Sequence, residues 1–227
     1  MSVLENLNRV RERINAAARR AGRDPGEIKL VAVTKTVPVT MIKEALSSGI
    51  TSLGENRVQE FLQKYPQLPP ELEWHFIGHL QTNKVKKIIG KINLIHSLDR
   101  WILAEEIHRA ACEAGKVVRV LVQVNAAGEE TKYGLSLAEA EDFVAEASRL
   151  PGLEVRGLMT IAPWCKNPEE VRPVFRQVRE LARQMGDRLD GVKLETLSMG
   201  MTGDFEVALE EGANILRIGT AIFGERY

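Results

Sequence analysis

The sequence has few of the residues that mark several common classes of protein. Only two cysteines, Cys112 and Cys165, occur in 227 residues, and aromatic residues make up 5%. The two show no metal-type spacing, and without a sign of secretion no structural disulfide is predicted, so both are expected to be buried or semi-buried thiols. The longest purely apolar stretches are only strand-length, too short for a membrane-spanning helix.

Neither sign of charge is in excess. Lysine plus arginine and aspartate plus glutamate each count 31, so the chain lacks the overall positive field that nucleic acid or an anionic membrane would favour. The N-terminal segment MSVLENLNRVRERINAAARR reads as an amphipathic helix rather than a signal peptide. These absences predict a cytoplasmic protein with no nucleic-acid or membrane partner.

Short β-branched runs alternate with longer stretches of helical period, and one domain of residues 1–227 can bury a substantial core. The predicted strands are 28–35, 51–56, 73–79, 93–98, 117–125, 154–161, 193–200 and 215–222. Eight such units fit a closed α/β barrel, a single-domain (β/α)8 TIM barrel with an extra N-terminal helix. A doubly wound parallel sheet is the alternative.

A lysine ends the first predicted strand, in the stretch KLVAVTKT (29–36). Catalytic and binding groups of such barrels lie at the carboxyl ends of the strands, which is where Lys35 is expected. A desolvated lysine amine there is a nucleophile that can form a Schiff base with an aldehyde or ketone. A solvated lysine at the strand mouth is the alternative, so other features must decide between the two.

Polar side chains follow most of the other predicted strands and define a candidate mouth. The set comprises Glu55, Asn56, Arg57, His79, Gln81, Asn83, Asn125, Met159, Thr160, Ser198, Arg217 and Thr220. His75 and His79 are four apart, which in a strand separates them by roughly 13 Å, so they cannot share a zinc ion and no metal site is predicted. His79 is expected either to stack on the aromatic ring of a ligand or to serve as a turn residue.

The tail LSMGMTGDFEVALEEGANILRIGTAIFGERY contains the last two strands and the loops after them. These loops frequently bind phosphate in such barrels, through backbone amides at glycines and helix N-termini. Ser198 with Gly200 would form one half and Gly219 with Thr220 the other, unless the glycines merely serve tight turns. With Lys35, this predicts a phosphorylated carbonyl compound held as an imine, by a Schiff-base aldolase or by a protein that binds pyridoxal 5′-phosphate.

The segments VAVTK, LGENRVQE, WHFIGHLQTNK, HSLD, KYGL, GLMTIAP and LSMGMTGDFEVALEEGANILRIGTAIFG closely resemble the pyridoxal phosphate homeostasis proteins. These are single-domain barrels related to the N-terminal domain of alanine racemase, and the resemblance covers nearly the whole chain. It implies that Lys35 carries pyridoxal 5′-phosphate as an internal aldimine. It also implies a monomeric, non-catalytic protein that buffers this cofactor or delivers it to apo-enzymes.

The resemblance implies further roles at matching positions. Asn56 and His79 would line the cofactor, with His79 against its ring, and Arg217 would face the pyridine nitrogen. Such an arginine only donates hydrogen bonds, so the nitrogen would stay unprotonated and the ring would be a weak electron sink. The implied phosphate site comprises Ser198, Gly219 and Thr220, with Met199 and Met201 nearby. Thr202 stands where many relatives have serine.

An amino-acid racemase or a related enzyme is the competing hypothesis. Racemisation by two bases needs a second acid or base opposite the lysine, and in racemases this is a tyrosine from a second domain. The sequence stops at Tyr227, directly after the last predicted strand, so no such domain is expected. Tyr133 in KYGL is the one internal tyrosine expected near the mouth, and packing is its predicted role.

Overall fold

The computed structural model describes residues 2–129 and 132–225. It begins with helix α1, Val3–Arg20, whose first turn is closed by a reciprocal pair of hydrogen bonds: the Ser2 side chain accepts from the Glu5 backbone, and the Glu5 side chain accepts from the Ser2 backbone. Such a capping box satisfies amides that the first turn of a helix leaves unpaired. The predicted N-terminal helix is therefore confirmed.

Eight parallel strands follow and close into a barrel in chain order, which confirms the predicted fold class. The strands are β1 Lys29–Val33, β2 Ser52–Glu55, β3 Glu73–Phe76, β4 Leu94–Leu98, β5 Val118–Gln123, β6 Leu153–Met159, β7 Thr196–Ser198 and β8 Ile215–Ile218. The remaining helices are α2 Val39–Ser47, α3 Val58–Lys64, α4 Val85–Ile88, α5 Trp101–Glu113, α6 Leu137–Ala147, α7 Arg172–Arg188, α8 Phe205–Glu210 and α9 Thr220–Phe223.

Most observed strands are shorter than predicted, chiefly at their carboxyl ends. β1 ends at Val33, the last residue that pairs with β2, and the chain then turns, with the amide of Val37 donating to the carbonyl oxygen of Thr34. Lys35 therefore follows the strand instead of ending it, and His79 likewise lies in a turn after β3. The apolar residues of the sequence continue beyond the last backbone hydrogen bonds between strands. The sequence pattern alone therefore overestimated the length of the strands.

Side-chain alternation separates two cores. The larger core lies between the strands and the helices, whereas a small cluster fills the barrel itself: Val31, Leu94, Leu121, Met159 and Ile215. Each fully buried aliphatic side chain contributes about 1.5–3 kcal/mol. The barrel interior also contains buried polar side chains, among them His75, His96, Ser198 and Arg217. These polar residues are central to the candidate site.

Helix α1 packs against α8 and α9, the helices that follow the last two barrel loops. The side-chain amide of Asn6 donates to the carbonyl oxygen of Ile222 at 3.0 Å. Arg13 pairs with Glu206 at 2.8 Å, and Arg23 donates to the carbonyl oxygen of Ala213 at 2.7 Å. The extra helix thus braces the side of the barrel that carries the β7 and β8 loops.

Two remaining sequence predictions concern cysteines and membrane spans. Both cysteines are free, but only Cys165 is semi-buried; Cys112 is exposed, because it lies on a solvent-facing position of α5, which corrects one expectation. In the part of the chain that the structure describes, every helix is too short or too polar to cross a membrane.

Candidate functional site

Lys35 lies in the turn after β1, at the carboxyl-terminal mouth of the barrel, and is exposed. The desolvated environment expected for its amine is not observed, because the strand ends earlier and Lys35 faces solvent. Its neighbour Thr36 has a φ of 58°, and among the described residues it is the one non-glycine residue with positive φ. A β-branched residue in this region is strained, and such strain persists only where the surrounding structure enforces it.

A buried ionic cluster, here called the Lys64 cluster, holds both neighbours of Lys35. It comprises Thr34, Glu55, Glu60 and Lys64. The ammonium group of Lys64 donates to the carbonyl oxygen of Thr34 and to Oε1 of Glu55, both at 2.6 Å. The amide of Thr36 donates to Oε2 of Glu60 at 2.7 Å. Helix α3 therefore fixes the backbone on each side of Lys35.

The burial of this cluster makes it energetically sensitive. Glu55 is 0% exposed and Lys64 8% exposed. Desolvation raises the pKa of Glu55, even though Lys64 and Thr34 donate hydrogen bonds to it. Glu55 was predicted to line the mouth, but its side chain points toward the helices, since the preceding Gly54 is the residue of β2 that faces inward against Val31.

Asn56 and His79 line one cavity of about 260 Å³ beside the mouth. Oδ1 of Asn56 is buried and accepts no hydrogen bond from the described residues. The ring of His79 stacks on that of Tyr133, with centroids 4.0 Å apart and planes 23° apart, while its Nδ1 lies 3.7 Å from Oδ2 of Asp99. Tyr133, predicted as a packing residue, is 59% exposed and covers one face of His79.

Arg217 lies inside the barrel and is 4% exposed. Its Nη1 donates to Oγ of Ser198 at 2.6 Å, and its Nη2 donates to the carbonyl oxygen of Thr160 at 2.9 Å. Burial lowers the pKa of Arg217 to about 10, opposed by the charge of Asp204. The cation remains protonated at neutral pH, and both of these hydrogen-bond partners are neutral groups.

The loops after β7 and β8 meet at the mouth. Oγ1 of Thr202, in the loop after β7, accepts a hydrogen bond from the amide of Ala221 at 3.2 Å. Ala221 is the second residue of α9, so this bond joins the β7 loop to the segment that contains Gly219 and Thr220. Asp204 fixes the first loop by accepting from the amide of Met201 at 2.6 Å. The hydroxyl of Thr202 therefore helps to hold the two loops together.

Two residues predicted for this region have side chains that point away from the mouth. Ser198 is 0% exposed and its hydroxyl is engaged inside the barrel by Arg217 and by Nδ1 of His96. Met199 is also 0% exposed and packs in the outer core, because alternation along β7 turns it toward the helices. The mouth is formed here by the β7 and β8 loops, with Gly219 and Thr220, and not by these two side chains.

Sequence reasoning missed several residues that support the site. His96 was read only as part of a strand, although its period-two spacing from Leu94 places it inside the barrel. His75 was considered for metal binding alone. Lys64, Glu60 and Asp204 gave no signal in sequence, because their roles depend on how α3 and the β7 loop dock.

Comparisons with known proteins agree with this architecture. The family model for the alanine racemase N-terminal domain matches residues 6–227. The pyridoxal phosphate homeostasis protein of Aquifex aeolicus is 52% identical over 227 residues, covering 100% of this chain and 99% of the relative. The protein of the same name from Escherichia coli K12 is 40% identical, covering 99% of this chain and 97% of the relative.

A solved structure of PipY from Synechococcus elongatus, with pyridoxal phosphate bound, superposes with a TM-score of 0.87 at 35% identity. The match covers 98% of this chain and 100% of PipY. The barrel, the order of its strands and full-length identities of this size lead to one conclusion. The chain belongs to the family of pyridoxal phosphate homeostasis proteins, whose barrel is the alanine racemase N-terminal domain.

Proposed function

We propose that this protein binds pyridoxal 5′-phosphate reversibly through Lys35 and thereby buffers or delivers the cofactor in the cytoplasm. The observation that carries the proposal is the arrangement of the mouth: an exposed lysine on a fixed turn after β1, with a buried arginine on the neighbouring strand β8 and two joined loops. The bound cofactor in PipY and the names of the relatives support it. A monomer that hands the cofactor to apo-enzymes is part of the same proposal.

The residues at the mouth fit this cofactor. Oδ1 of Asn56 is a buried acceptor without a donor among the described residues, and His79 offers a ring for stacking. Arg217 presents a guanidinium at the floor of the mouth, suited to the pyridine nitrogen, while the backbone around Gly219 and Thr220 is suited to the phosphate. Met201, half-buried in the β7 loop, would lie beside them.

When bound, the cofactor would supply an aldehyde, the group that condenses with a primary amine with loss of water. The protein's own contribution is to hold the amine of Lys35 on a turn braced by Lys64 and Glu60. Because Arg217 remains charged and only donates, it disfavours protonation of the pyridine nitrogen and weakens carbanion chemistry. The exposure of Lys35 gives water access to the linkage, which suits release more than turnover.

Reduction with borohydride tests the proposal. We expect the cofactor-loaded protein to be yellow and, after reduction, to carry the cofactor mass on the peptide that contains Lys35. Lys35→Ala should abolish this adduct, whereas Lys84→Ala, a change in the turn before α4, should leave it unchanged. An adduct that persists in Lys35→Ala, or that maps to Lys84 or Lys132, contradicts the assignment.

The phosphate site has its own test. Pyridoxal, which lacks the phosphate, should bind far more weakly than pyridoxal 5′-phosphate, since each charge-assisted hydrogen bond contributes about 1.5–3 kcal/mol. Equilibrium titration followed by absorbance measures both affinities. Equal affinity for the two compounds would show that the β7 and β8 loops do not hold the phosphate.

Racemisation is the alternative function; the names of the relatives do not favour it, and the residue on which to test it is Tyr133, whose exposed ring lies at the mouth against His79. In the carrier proposal, incubation with L- or D-alanine in deuterium oxide gives at most slow α-deuterium exchange. An enzyme would racemise either isomer at a turnover on the order of 1–10³ per second. Racemisation that is lost in both Lys35→Ala and Tyr133→Phe would contradict the carrier proposal and support an enzyme. Transfer of the cofactor to an apo-enzyme faster than its spontaneous release would support delivery.

A further inference from the structure

A row of polar side chains runs through the barrel from its amino-terminal end to Arg217, with one gap, of 3.7 Å, between Glu73 and His75, whose Nε2 makes no hydrogen bond with the described residues. We call Glu73, His75, His96 and Ser198 the histidine relay. Nδ1 of His75 lies 2.8 Å from Nε2 of His96, and Nδ1 of His96 lies 2.9 Å from Oγ of Ser198. Nε2 of His75 lies 3.7 Å from Oε2 of Glu73. The row therefore begins at a carboxylate at one end of the barrel and ends at a guanidinium near the other.

Donor and acceptor rules give this row one direction. Arg217 only donates, so Ser198 Oγ accepts from it and has its own hydrogen to donate. If that hydrogen goes to Nδ1 of His96, then Nε2 of His96 carries a proton and donates to Nδ1 of His75. His75 then carries its proton on Nε2, which faces the carboxylate of Glu73.

The opposite direction is disfavoured. It would point a bare nitrogen lone pair of His75 at a carboxylate, and it would leave the hydrogen of Ser198, a residue that is 0% exposed, to find another acceptor. Glu73 is held ionised: nearby His75, together with hydrogen bonds from Lys29 and Ser52, lowers its pKa. The charges at the two ends thus favour one alignment of the intervening dipoles.

Both histidines are neutral in this arrangement. Burial lowers the pKa of His75, opposed by Glu73 and reinforced by the charge of Lys29. Burial also lowers the pKa of His96 well below its usual value, with further lowering from His75 and Arg217. A neutral histidine with a proton on Nε2 is at once an acceptor at Nδ1 and a donor at Nε2, which is what the row requires.

We propose that His96 is a positioning residue for Arg217, acting through Ser198, and that the relay fixes the guanidinium at the place where it would meet the pyridine nitrogen. The proposal rests on the proposed function for its link to the cofactor. Without an acceptor at Nδ1 of His96, the hydroxyl of Ser198 would turn, and Arg217 would lose a fixed partner. Ser198 then serves the pyridine side of the cofactor, and its hydroxyl is not a phosphate ligand.

The protein without cofactor gives the first test. The chain has four histidines, so long-range ¹H–¹⁵N correlation spectra of ¹⁵N-histidine-labelled protein can be assigned with His79→Asn and His108→Asn. We expect His75 and His96 to be neutral with the proton on Nε2 from pH 6 to 8. A charged His96, or one with its proton on Nδ1, overturns the direction of the relay.

Two substitutions at His96 give the second test. His96→Leu removes the acceptor, and the Kd for pyridoxal 5′-phosphate should rise about three- to tenfold, the equivalent of one net hydrogen bond. His96→Asn keeps an acceptor at the Nδ1 position, and its Kd should stay within about twofold of the original. The absorption maximum of the bound cofactor should shift in His96→Leu and return in His96→Asn. His108→Asn, on the outside of the barrel, is the matched control and should change neither quantity.

The outcomes separate the two proposals. An unchanged Kd and spectrum in His96→Leu, or equal losses in His96→Leu and His96→Asn, would contradict the positioning role. If the unaltered protein did not take up pyridoxal 5′-phosphate at all, the proposed function would fail, and with it the link to the cofactor, while the histidine spectra would still decide the direction of the relay.

Discussion

Two neighbouring parts of the barrel mouth, at the paired strands β1 and β8, are built in opposite ways. On the β1 side, Lys35 is exposed, and its backbone is held from outside the barrel by buried charges of the Lys64 cluster. On the β8 side, Arg217 is buried, and its side chain is held from inside the barrel by neutral groups. The β1 side thus fixes the backbone around Lys35 and leaves this residue exposed. The β8 side fixes the side chain of Arg217 and keeps it buried.

This difference matches what each group would have to do. A lysine that forms and releases a covalent bond needs solvent and some freedom of its side chain, so only its backbone can be rigid. An arginine that tunes a ring must keep one orientation, and a low-dielectric interior strengthens each hydrogen bond that orients it. The predictions below change one side at a time.

The largest effect is expected on the Lys35 side. Lys64→Met leaves Glu55 buried without its cation and should lower the free energy of unfolding by about 3–5 kcal/mol, measured in urea. Lys86→Met is the matched control, because Lys86 pairs with Glu113 at 2.7 Å on the surface, where both side chains are half-exposed. That change should cost no more than about 1 kcal/mol. Equal losses in the two variants would refute a buried ionic brace behind Lys35.

On the Arg217 side, Ser198→Ala removes the hydroxyl that both Arg217 and His96 contact. Leaving these buried groups unpaired should cost about 1–3 kcal/mol of unfolding free energy. The control is Ser97→Ala, since Oγ of Ser97 is buried yet makes no hydrogen bond with the described residues. It should leave stability unchanged or raise it. A destabilised Ser97→Ala beside an unaffected Ser198→Ala would reverse the comparison.

A smaller effect is expected from relieving the strained turn. Thr36→Gly permits the positive φ without a steric penalty, so stability should rise by about 1 kcal/mol or less. Thr40→Gly, at an exposed position in α2, should instead lower stability by about 0.5–1 kcal/mol. Thermal unfolding of both variants measures the sign. A loss in Thr36→Gly as large as that in Thr40→Gly would show that the turn is not strained.

The smallest effect is a pH dependence whose sign differs between Glu55, in the Lys64 cluster, and Glu73, at the far end of the histidine relay from Arg217. The pKa of Glu73 is lowered in the folded protein, so its contribution is present above the unfolded value and is lost as the pH falls from about 4.5. The pKa of Glu55 is raised, so its contribution is present in acid and is lost as the pH rises through the folded value.

Unfolding in urea between pH 7 and pH 4 measures this contrast. Relative to Glu73→Gln, the unaltered protein should lose stability toward pH 4; relative to Glu55→Gln, it should gain. Solvent screening at half-exposed Glu73 keeps its effect below about 1 kcal/mol. Slopes of the same sign in both comparisons would contradict the assignment of opposite pKa shifts.

The sequence predicted the barrel because β-branched runs and helical stretches alternate strictly, a pattern set by local geometry. It also predicted that Arg217 and Ser198 lie in one region, and both are in fact near the ends of two strands that pair. It could not show that Lys35 follows the strand instead of ending it, because the end of β1 depends on pairing with β2. Which face of a short strand turns inward is decided by register, so the sequence also could not show that the side chain of Glu55 points toward the helices or that Met199 packs in the outer core.

His96 and Lys64 illustrate two kinds of missing information. The position of His96 inside the barrel follows from its spacing to Leu94, so period-two reasoning was sufficient to find it. Lys64 has no such signal. It ends a seven-residue helix, and its ammonium group reaches Thr34 only because α3 docks across the β1–β2 edge. Side chains whose partners lie across an element boundary need tertiary structure to be recognised.

Helix α1 has a consequence for the order of folding. Its contacts join residues about 200 positions apart, such as Asn6 with Ile222 and Arg13 with Glu206. The apolar face of α1 is therefore synthesised about 200 residues before α8 and α9, the helices against which it packs. Bringing residues so far apart in sequence into contact carries an entropic cost. This cost falls only as the strands between them pair. The β7 and β8 loops, which lead into α8 and α9, are thus held in place by a helix that lies about 200 residues away in the sequence.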